Sequence, residues 1–251
     1  MLGHTDRGLR RHHNEDAFLV RPDLGFVVVA DGMGGHAAGE VAAQLAVKEL
    51  ESFIATTANS LDNTWPEDWD TSISLNGNRL ARGIETAHRG VTAAVEHDAG
   101  LKGMGATIVA ALFDADTNTA TIAHVGDSRA YVYRDSALQL LTSDHSWVHE
   151  QVVAGLLSEE AARNHPLKNV VTRALGGNQE PAVDIIEEGL RPGDIVLLCS
   201  DGLNTMLPDE DIAATLARGR DLDTAVRDLI DEANRRGGID NITVVVVRVG
   251  E

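Results

Sequence analysis

The chain has 251 residues and a formal net charge of −18, from 39 acidic and 21 basic side chains. Such a surface repels the nucleic acid backbone and anionic lipid, so we expect neither nucleic acid nor a membrane as a partner. Hydrophobic residues make up 43% of the chain but aromatic residues only 4%, which predicts an aliphatic core. The single cysteine excludes an internal disulfide and predicts a reducing compartment, the cytoplasm.

Short β-branched runs recur along the chain and predict strands. They cover residues 25–31, 106–114, 119–125, 129–134, 194–200 and 241–249. Hairpin-length connections join the second run to the third and the third to the fourth, so we expect these neighbours to pair antiparallel. Helical periodicity over 80–95 and 225–236 adds helices between the groups of strands, which favours helices packed on antiparallel sheets.

Residues 144–177 carry two short amphipathic pieces without a strand, which predicts a flap on the main body. The flap lies between the segments that carry Asp127 and Asp201. We therefore expect its base to emerge near these acids and the flap to shape substrate choice. The organisation predicted is a single domain over residues 1–251, with the flap as a subdomain.

The stretch VVVADGMGGHAAGE, residues 27–40, admits two interpretations. Gly32, Gly34 and Ala37 fit the spacing of a dinucleotide-binding turn. That interpretation needs a second parallel strand after the helix, and the polar segment that follows Ile54 does not supply one. The other interpretation is a metal site, because Asp31 stands at the end of the strand.

Further acids stand at predicted strand ends. Asp127 follows the third run, Asp201 closes the fifth, and Asp240 opens the last. If these acids and Asp31 meet at one edge of a sheet, they repel one another unless a cation lies among them. Hard divalent ions bind carboxylate and carbonyl oxygens, and a glycine after the acid lets the backbone approach closely. This pattern predicts a magnesium or manganese site.

The motifs, in this order, resemble those of the metal-dependent serine/threonine protein phosphatases of type 2C, the PPM family, in their compact bacterial form. They are TDRGLRRHHNED, VVVADGMGGHAAGE, GMGATIVAALF, HVGDSRAYVYR, LTSDHS, HPLKNVVTRALGG, VLLCSDGL and DNITVVVV, and they cover nearly the whole chain. The resemblance implies an α+β fold, a four-layer α-β-β-α sandwich with two central antiparallel sheets flanked by helices, plus the flap. It places the metals at one end of the sandwich.

The resemblance also implies the ligands of two Mn²⁺ or Mg²⁺ ions and of a weaker third ion. Asp31 would bridge two ions, with Asp201 and Asp240 completing one of them. The carbonyl of Gly32 and the side chain of Glu15 would complete the other. The remaining ligands implied are Asp16 through a coordinated water, and Asp127 together with Asp201 for the third ion.

The implied catalytic residues are Arg11, His36 and Asp31. Two adjacent ions lower the pKa of a shared water towards ~7 for in-line attack on phosphorus. Arg11 matches the family's phosphate-binding arginine, which can grip two phosphate oxygens as a bidentate fork. The leaving alkoxide needs a proton, for which His36 and a metal-bound water are alternative donors. His12 and His13 are predicted to be solvated loop residues.

The function implied is hydrolysis of phosphoserine and phosphothreonine in proteins, in signalling through a serine/threonine kinase pathway. Phosphorylated proteins are therefore the expected partners, and we expect a monomer because no exposed heptad or long edge strand favours assembly. Two alternatives stay open at this point. One is a non-catalytic module of the same fold that binds a phosphorylated partner or metal, and the other is a phosphatase of small phosphate esters.

Overall fold

The computed structural model describes residues 1–34, 37–58, 70–218 and 221–250. Within these ranges the strands are β1 (Leu2–Asp6), β2 (Asp16–Arg21), β3 (Phe26–Met33), β4 (Gly105–Asp114), β5 (Thr119–Val125), β6 (Arg129–Arg134), β7 (Ala137–Leu140), β8 (Asp184–Gly189), β9 (Ile195–Cys199) and β10 (Ile242–Arg248). The α-helices are α1 (Ala37–Ala58), α2 (Leu75–His97), α3 (Trp147–Val153), α4 (Glu159–Arg163), α5 (Asp201–Asn204), α6 (Asp209–Arg218) and α7 (Leu222–Arg235).

The strands form two antiparallel sheets of five strands each. The first sheet has the order β1-β10-β9-β6-β7 and the second the order β2-β3-β4-β5-β8. Helices α1 and α2 pack on the outer face of the second sheet, while α6 and α7 pack on the first. The layers are those of the predicted four-layer α-β-β-α sandwich.

Strand β3 shows why its sequence is a continuous apolar run. Val27 and Val29 face the other sheet, whereas Phe26, Val28 and Ala30 face the helices. Successive side chains of a strand point to opposite faces, so a strand that is covered on both faces needs apolar residues at every position. The run "FVVVA" thus marks the middle of the sandwich.

One predicted strand pairing is wrong. Strand β5 pairs with β4 and β8, but β6 pairs with β7 and β9 in the other sheet. The connection through Gly126 crosses between sheets instead of forming a hairpin. Gly126 has φ +112°, and a Cβ at this position would lie 2.4 Å from that of Thr107, so the crossing requires glycine.

The predicted flap contains the two short helices α3 and α4. An isolated β-bridge between Ser146 and Val171 joins the two sides of the flap base, and a second, between Leu175 of the flap and Ala106 of β4, ties the flap to the body. No helix in the described ranges is long and apolar enough to cross a lipid bilayer.

Candidate metal and phosphate site

Two of the predicted acids are fixed by the hairpin of β2 and β3. Asp16 and Asp31 are cross-strand partners, and the Gly32 N–H donates a hydrogen bond to the carbonyl of Glu15 at 3.1 Å. A Cβ on Gly32 would lie 2.0 Å from the carbonyl oxygen of Gly39 at the start of α1. The glycine after Asp31 therefore permits a close backbone approach, as the sequence predicts.

The other sheet supplies Asp201 and Asp240. Asp201 begins α5 directly after β9, and Asp240 precedes β10, the neighbour of β9. A Cβ on Gly202 would lie 1.9 Å from the carbonyl oxygen of Asn241, so a glycine is required after this acid too. The acids therefore come from both sheets and meet at one end of the sandwich, which corrects the expectation of one edge of a single sheet.

Asp16 joins the two sheets through a buried network. Its Oδ2 accepts hydrogen bonds from the hydroxyls of Ser200 at 2.7 Å and Thr243 at 2.6 Å, on the other sheet. Burial, partly offset by these hydroxyls, raises the pKa of Asp16 to about 6. Sequence reasoning missed Ser200 and Thr243, although polar residues beside buried strands are a usable signal.

Burial and mutual repulsion make it unfavourable for the acids at this end of the sandwich to be ionised together. Burial raises the pKa of Asp31 well above its usual value, and the nearby Asp16 and Asp201 add to the rise. Burial likewise raises the pKa of Asp201, with Asp127 as its next largest cause. Like charges gathered in a low-dielectric site favour either protonation or a bound cation.

Two buried oxygens at this end have no hydrogen-bond donor among the described residues. They are Oδ1 of Asp16 and Oδ1 of Asp201. A buried acceptor without a partner is costly, and divalent cations such as Mn²⁺ and Mg²⁺ bind carboxylate oxygens. The donor set thus fits hard divalent ions.

Arg11 lies at the open side of the acids. Its Nη2 donates to Oδ2 of Asp240 at 2.6 Å, and its side chain is 50% exposed. The hydrogen bond to Asp240 raises the pKa of Arg11, so this group stays charged. A guanidinium has five N–H donors, and one bond to Asp240 leaves others for a phosphate oxygen.

Asp127 directly follows the crossing at Gly126 and lies close enough to Asp201 and Asp31 for its charge to raise the pKa of both. Burial, followed by the charge of Asp144, raises the pKa of Asp127 to about 6. Asp144 itself is bound by Arg129 through two hydrogen bonds of 2.8 and 2.7 Å. Sequence reasoning did not assign Arg129 or Asp144, which sit 15 residues apart and meet only in the fold.

Asn241 is a further residue whose role only the structure shows. Its Nδ2 donates to the carbonyls of Arg7 and His13, both at 2.9 Å, and its Oδ1 accepts from the N–H of Glu15 at 2.8 Å. It thereby fixes the loop that carries Arg11 and Glu15. A polar residue at the start of the buried strand β10 is the signal that could have found it.

A separate group, His124, His145 and Asp184, offers ligand atoms within 4.8 Å of one another. Nδ1 of His145 accepts from the N–H of Gly126 at 3.0 Å, so Nε2 carries the ring proton and donates to Asp184 at 3.2 Å. Arg173 also donates to Asp184, at 3.0 Å. Within this group His145 and Asp184 are hydrogen-bonded at the flap base, whereas Nδ1 of the buried His124 has no partner among the described residues.

His36 lies outside the described residues, as does Gly35. The role of His36 as proton donor therefore stays a prediction.

Comparison with known proteins adds independent information to this geometry. The family model described as protein phosphatase 2C matches residues 4–236. The chain belongs to this family. Among curated members, the serine/threonine phosphatase stp of Listeria welshimeri is 40% identical over 246 residues, which cover 97% of this chain and 93% of the relative.

Solved structures of family members superpose closely on this phosphatase 2C member. The serine/threonine phosphatase PstP/Ppp of Mycobacterium tuberculosis has a TM-score of 0.84 and 36% identity, covering 100% of this chain and 98% of that one. The catalytic domain of PstP in complex with two manganese ions has a TM-score of 0.81 and 35% identity. The match covers 100% of this chain and 97% of that one.

The predicted family, fold class and enzyme class are confirmed by these likenesses. They also favour a catalytic phosphatase over the non-catalytic module. The roles assigned to individual ligands and to Arg11 stay predictions.

Proposed function

We propose that this phosphatase 2C family member hydrolyses phosphoserine and phosphothreonine in proteins, with Mn²⁺ or Mg²⁺ held by the acids at the end of the sandwich. The observation that carries the proposal is the meeting of buried acids from two sheets beside a half-exposed arginine, with two acid oxygens that have no partner among the described residues. Such a site accepts divalent cations and an anionic ester together.

The proposed ligands follow the resemblance. Asp31 would bind two ions; Asp201 and Asp240 would complete the first, and the Gly32 carbonyl and Glu15 the second. Asp16 would act through a coordinated water. Asp127 with Asp201 would hold a weaker third ion, and Mg²⁺ is an alternative to Mn²⁺ at every position.

When bound, divalent ions supply a nucleophilic water at neutral pH and neutralise phosphate charge. The chain's own residues prepare and complete the site. Ser200 and Thr243 fix the carboxylate of Asp16, and Asn241 fixes the backbone of the loop that presents Arg11. Arg11 then orients the phosphoryl group through its remaining N–H donors.

We further propose that the protein acts as a monomer, on phosphoproteins made by serine/threonine kinases, in a reducing compartment such as the cytoplasm. The compartment is supported by the single cysteine, Cys199, which is buried and free.

The test is phosphate release from a phosphothreonine peptide, with Mn²⁺, after chelation and after Mn²⁺ is restored. We expect release to vanish on chelation and to return with Mn²⁺. Asp201→Asn should lower kcat/KM at least about 100-fold, since even residues that only support metal ligands cost 10–100-fold. Asp228→Asn, an equal charge change on the exposed face of α7, is the matched control.

Release that survives chelation, or an Asp201→Asn protein as active as Asp228→Asn, would contradict the proposal. Equal or higher kcat/KM on small phosphate esters than on phosphopeptides would favour the small-ester alternative.

A further inference from the structure

The loop between β1 and β2 concentrates positive charge in a strongly acidic protein. Residues 7–13, with the sequence RGLRRHH, form this basic loop. Besides Arg11 it carries Arg7, Arg10, His12 and His13, and all four of these side chains are exposed. The whole chain has 39 acids against 21 bases, so a basic cluster is unusual on its surface.

The backbone of the basic loop is held in place by the segment that precedes β10. The N–H groups of Leu9 and Arg10 both donate to the carbonyl of Gly238, at 2.7 and 3.2 Å. The side chain of Asn241 holds the carbonyls at both ends of the loop. The basic side chains therefore project from a fixed backbone, which lowers the entropy lost when they bind a ligand.

Arg7 and Arg10 have no ion-pair partner in the described ranges. Elsewhere on this acidic surface most described arginines are paired, as Arg134 is with Asp194 at 2.6 Å and Arg173 with Asp184 at 3.0 Å. Where carboxylates are in excess, cations left unpaired beside one another point to an anionic partner from outside the chain.

The basic loop lies beside the proposed catalytic end. Arg10 is the chain neighbour of Arg11, whose guanidinium binds Asp240. Arg7 lies on the same loop, and its carbonyl accepts from Asn241, the neighbour of Asp240. We therefore expect the flanking residues of a substrate whose phosphoryl group is on Arg11 to come near Arg7 and Arg10. In an extended peptide, residues two apart lie roughly 7 Å from each other on the same face, which is within reach of arginine side chains.

We propose that Arg7 and Arg10 bind a second anionic group of the substrate protein, within about two residues of the phosphorylated one. The group is a carboxylate or a second phosphate, since arginine binds both through the same N–H donors. The inference rests on the proposed function. It makes the basic loop a determinant of specificity, separate from the residues that hold the scissile phosphate.

The test uses three phosphothreonine peptides of one sequence that carry Gln, Glu or a non-hydrolysable phosphonate two residues from the phosphothreonine. The protein variants are Arg7→Ala with Arg10→Ala, and the control Arg191→Ala with Arg248→Ala. The control removes the same charge near the other ends of β9 and β10, away from Asp201 and Asp240.

We expect the unmodified protein to prefer the charged flanks about three- to tenfold in kcat/KM, as exposed ion pairs allow. The basic-loop variant should lose this preference and keep its activity on the Gln peptide, while the control keeps both. High salt should weaken the preference. Comparing kcat/KM for the Glu peptide with kcat/KM for the phosphonate peptide then shows whether the basic loop prefers a carboxylate or a second phosphate.

Anisotropy with labelled peptides, in which a phosphonate replaces the phosphothreonine itself, measures the same preference without hydrolysis. The unmodified protein could bind the charged peptides more tightly, and the basic-loop variant could lose this preference, although neither protein hydrolyses phosphate. This result would support the role of the basic loop and overturn only the proposed phosphatase function. No preference for charged flanks in either assay would overturn the inference, as would an equal loss of preference in the control.

Discussion

His124 is 1% exposed, and its Nδ1 has no hydrogen-bond partner among the described residues. Its ring stacks on that of His145, with the centroids 4.6 Å apart. Burial, and then the neighbouring His145, lower the pKa of His124 to about 4, against the attraction of Asp184 and Asp144. A residue that looks ordinary in the strand sequence TATIAHV is therefore held neutral by its surroundings.

This burial makes stability depend on pH. In the unfolded chain His124 takes up a proton near its ordinary pKa of about 6.5, whereas in the folded chain it does so only near 4. The contribution of neutral His124 to the free energy of unfolding is therefore complete above pH 6.5. It is lost as the pH falls towards 4, by at most about 3 kcal/mol. We expect His124→Gln to lose less stability than the unmodified protein over this range, in urea unfolding at matched pH values.

The free energy of unfolding is plotted against pH for each protein. Subtracting one plot from the other removes the contributions of the buried acids, which are common to both proteins. Parallel curves from pH 7.5 to 4.5 would show that His124 does not titrate as expected.

The connections between secondary-structure elements also restrict which residue type is possible. One Asp-Gly pair, Asp31-Gly32, lies near the end of β3, and another, Asp201-Gly202, begins α5 directly after β9. At both joints the space for a Cβ is taken by a carbonyl of another segment, at 1.9 Å for Gly202 and 2.0 Å for Gly32. The glycines let the backbones of different elements touch, and this contact places the preceding acids.

Gly202→Ala tests this requirement. An alanine in a helix normally stabilises it, but here the clash with the carbonyl of Asn241 should cost about 1–3 kcal/mol and displace Asp201. We expect a lower unfolding temperature and weaker activation by Mn²⁺. Gly189→Ala is the control, because a Cβ there meets no atom within 4 Å. Similar unfolding temperatures for the two variants would refute the close-contact interpretation.

At the scale of the whole molecule, the flap combines a fixed base with an exposed tip. His145 at the base is 5% exposed and bonded to Gly126 through both its backbone N–H and its ring. At the tip, Val153 is 74% exposed and Leu156 is 71% exposed. Apolar side chains presented in this way on a loop are suited to contact a bound protein.

We therefore expect Val153→Ser with Leu156→Ser to change the ranking of phosphoprotein substrates by several-fold in kcat/KM, with little effect on a small aryl phosphate. The unfolding temperature should stay the same, because both side chains are already in water. Leu75→Ser, an exposed leucine at the start of α2, is the control. An unchanged ranking would mean that the tip does not contact substrates.

The sequence by itself determined the six central strands, helices α2 and α7, the set of acids and the family. These properties can be predicted from local periodicity and from motifs whose order along the chain is specific. Local patterns do not encode which strands share a sheet, since any apolar strand fits beside another. The tertiary structure therefore decided that β5 and β6 part at Gly126, and that acids from both sheets meet at one end. It also decided which partners hold them, because Asp16 and Thr243 are 227 positions apart and meet only when the sheets pack.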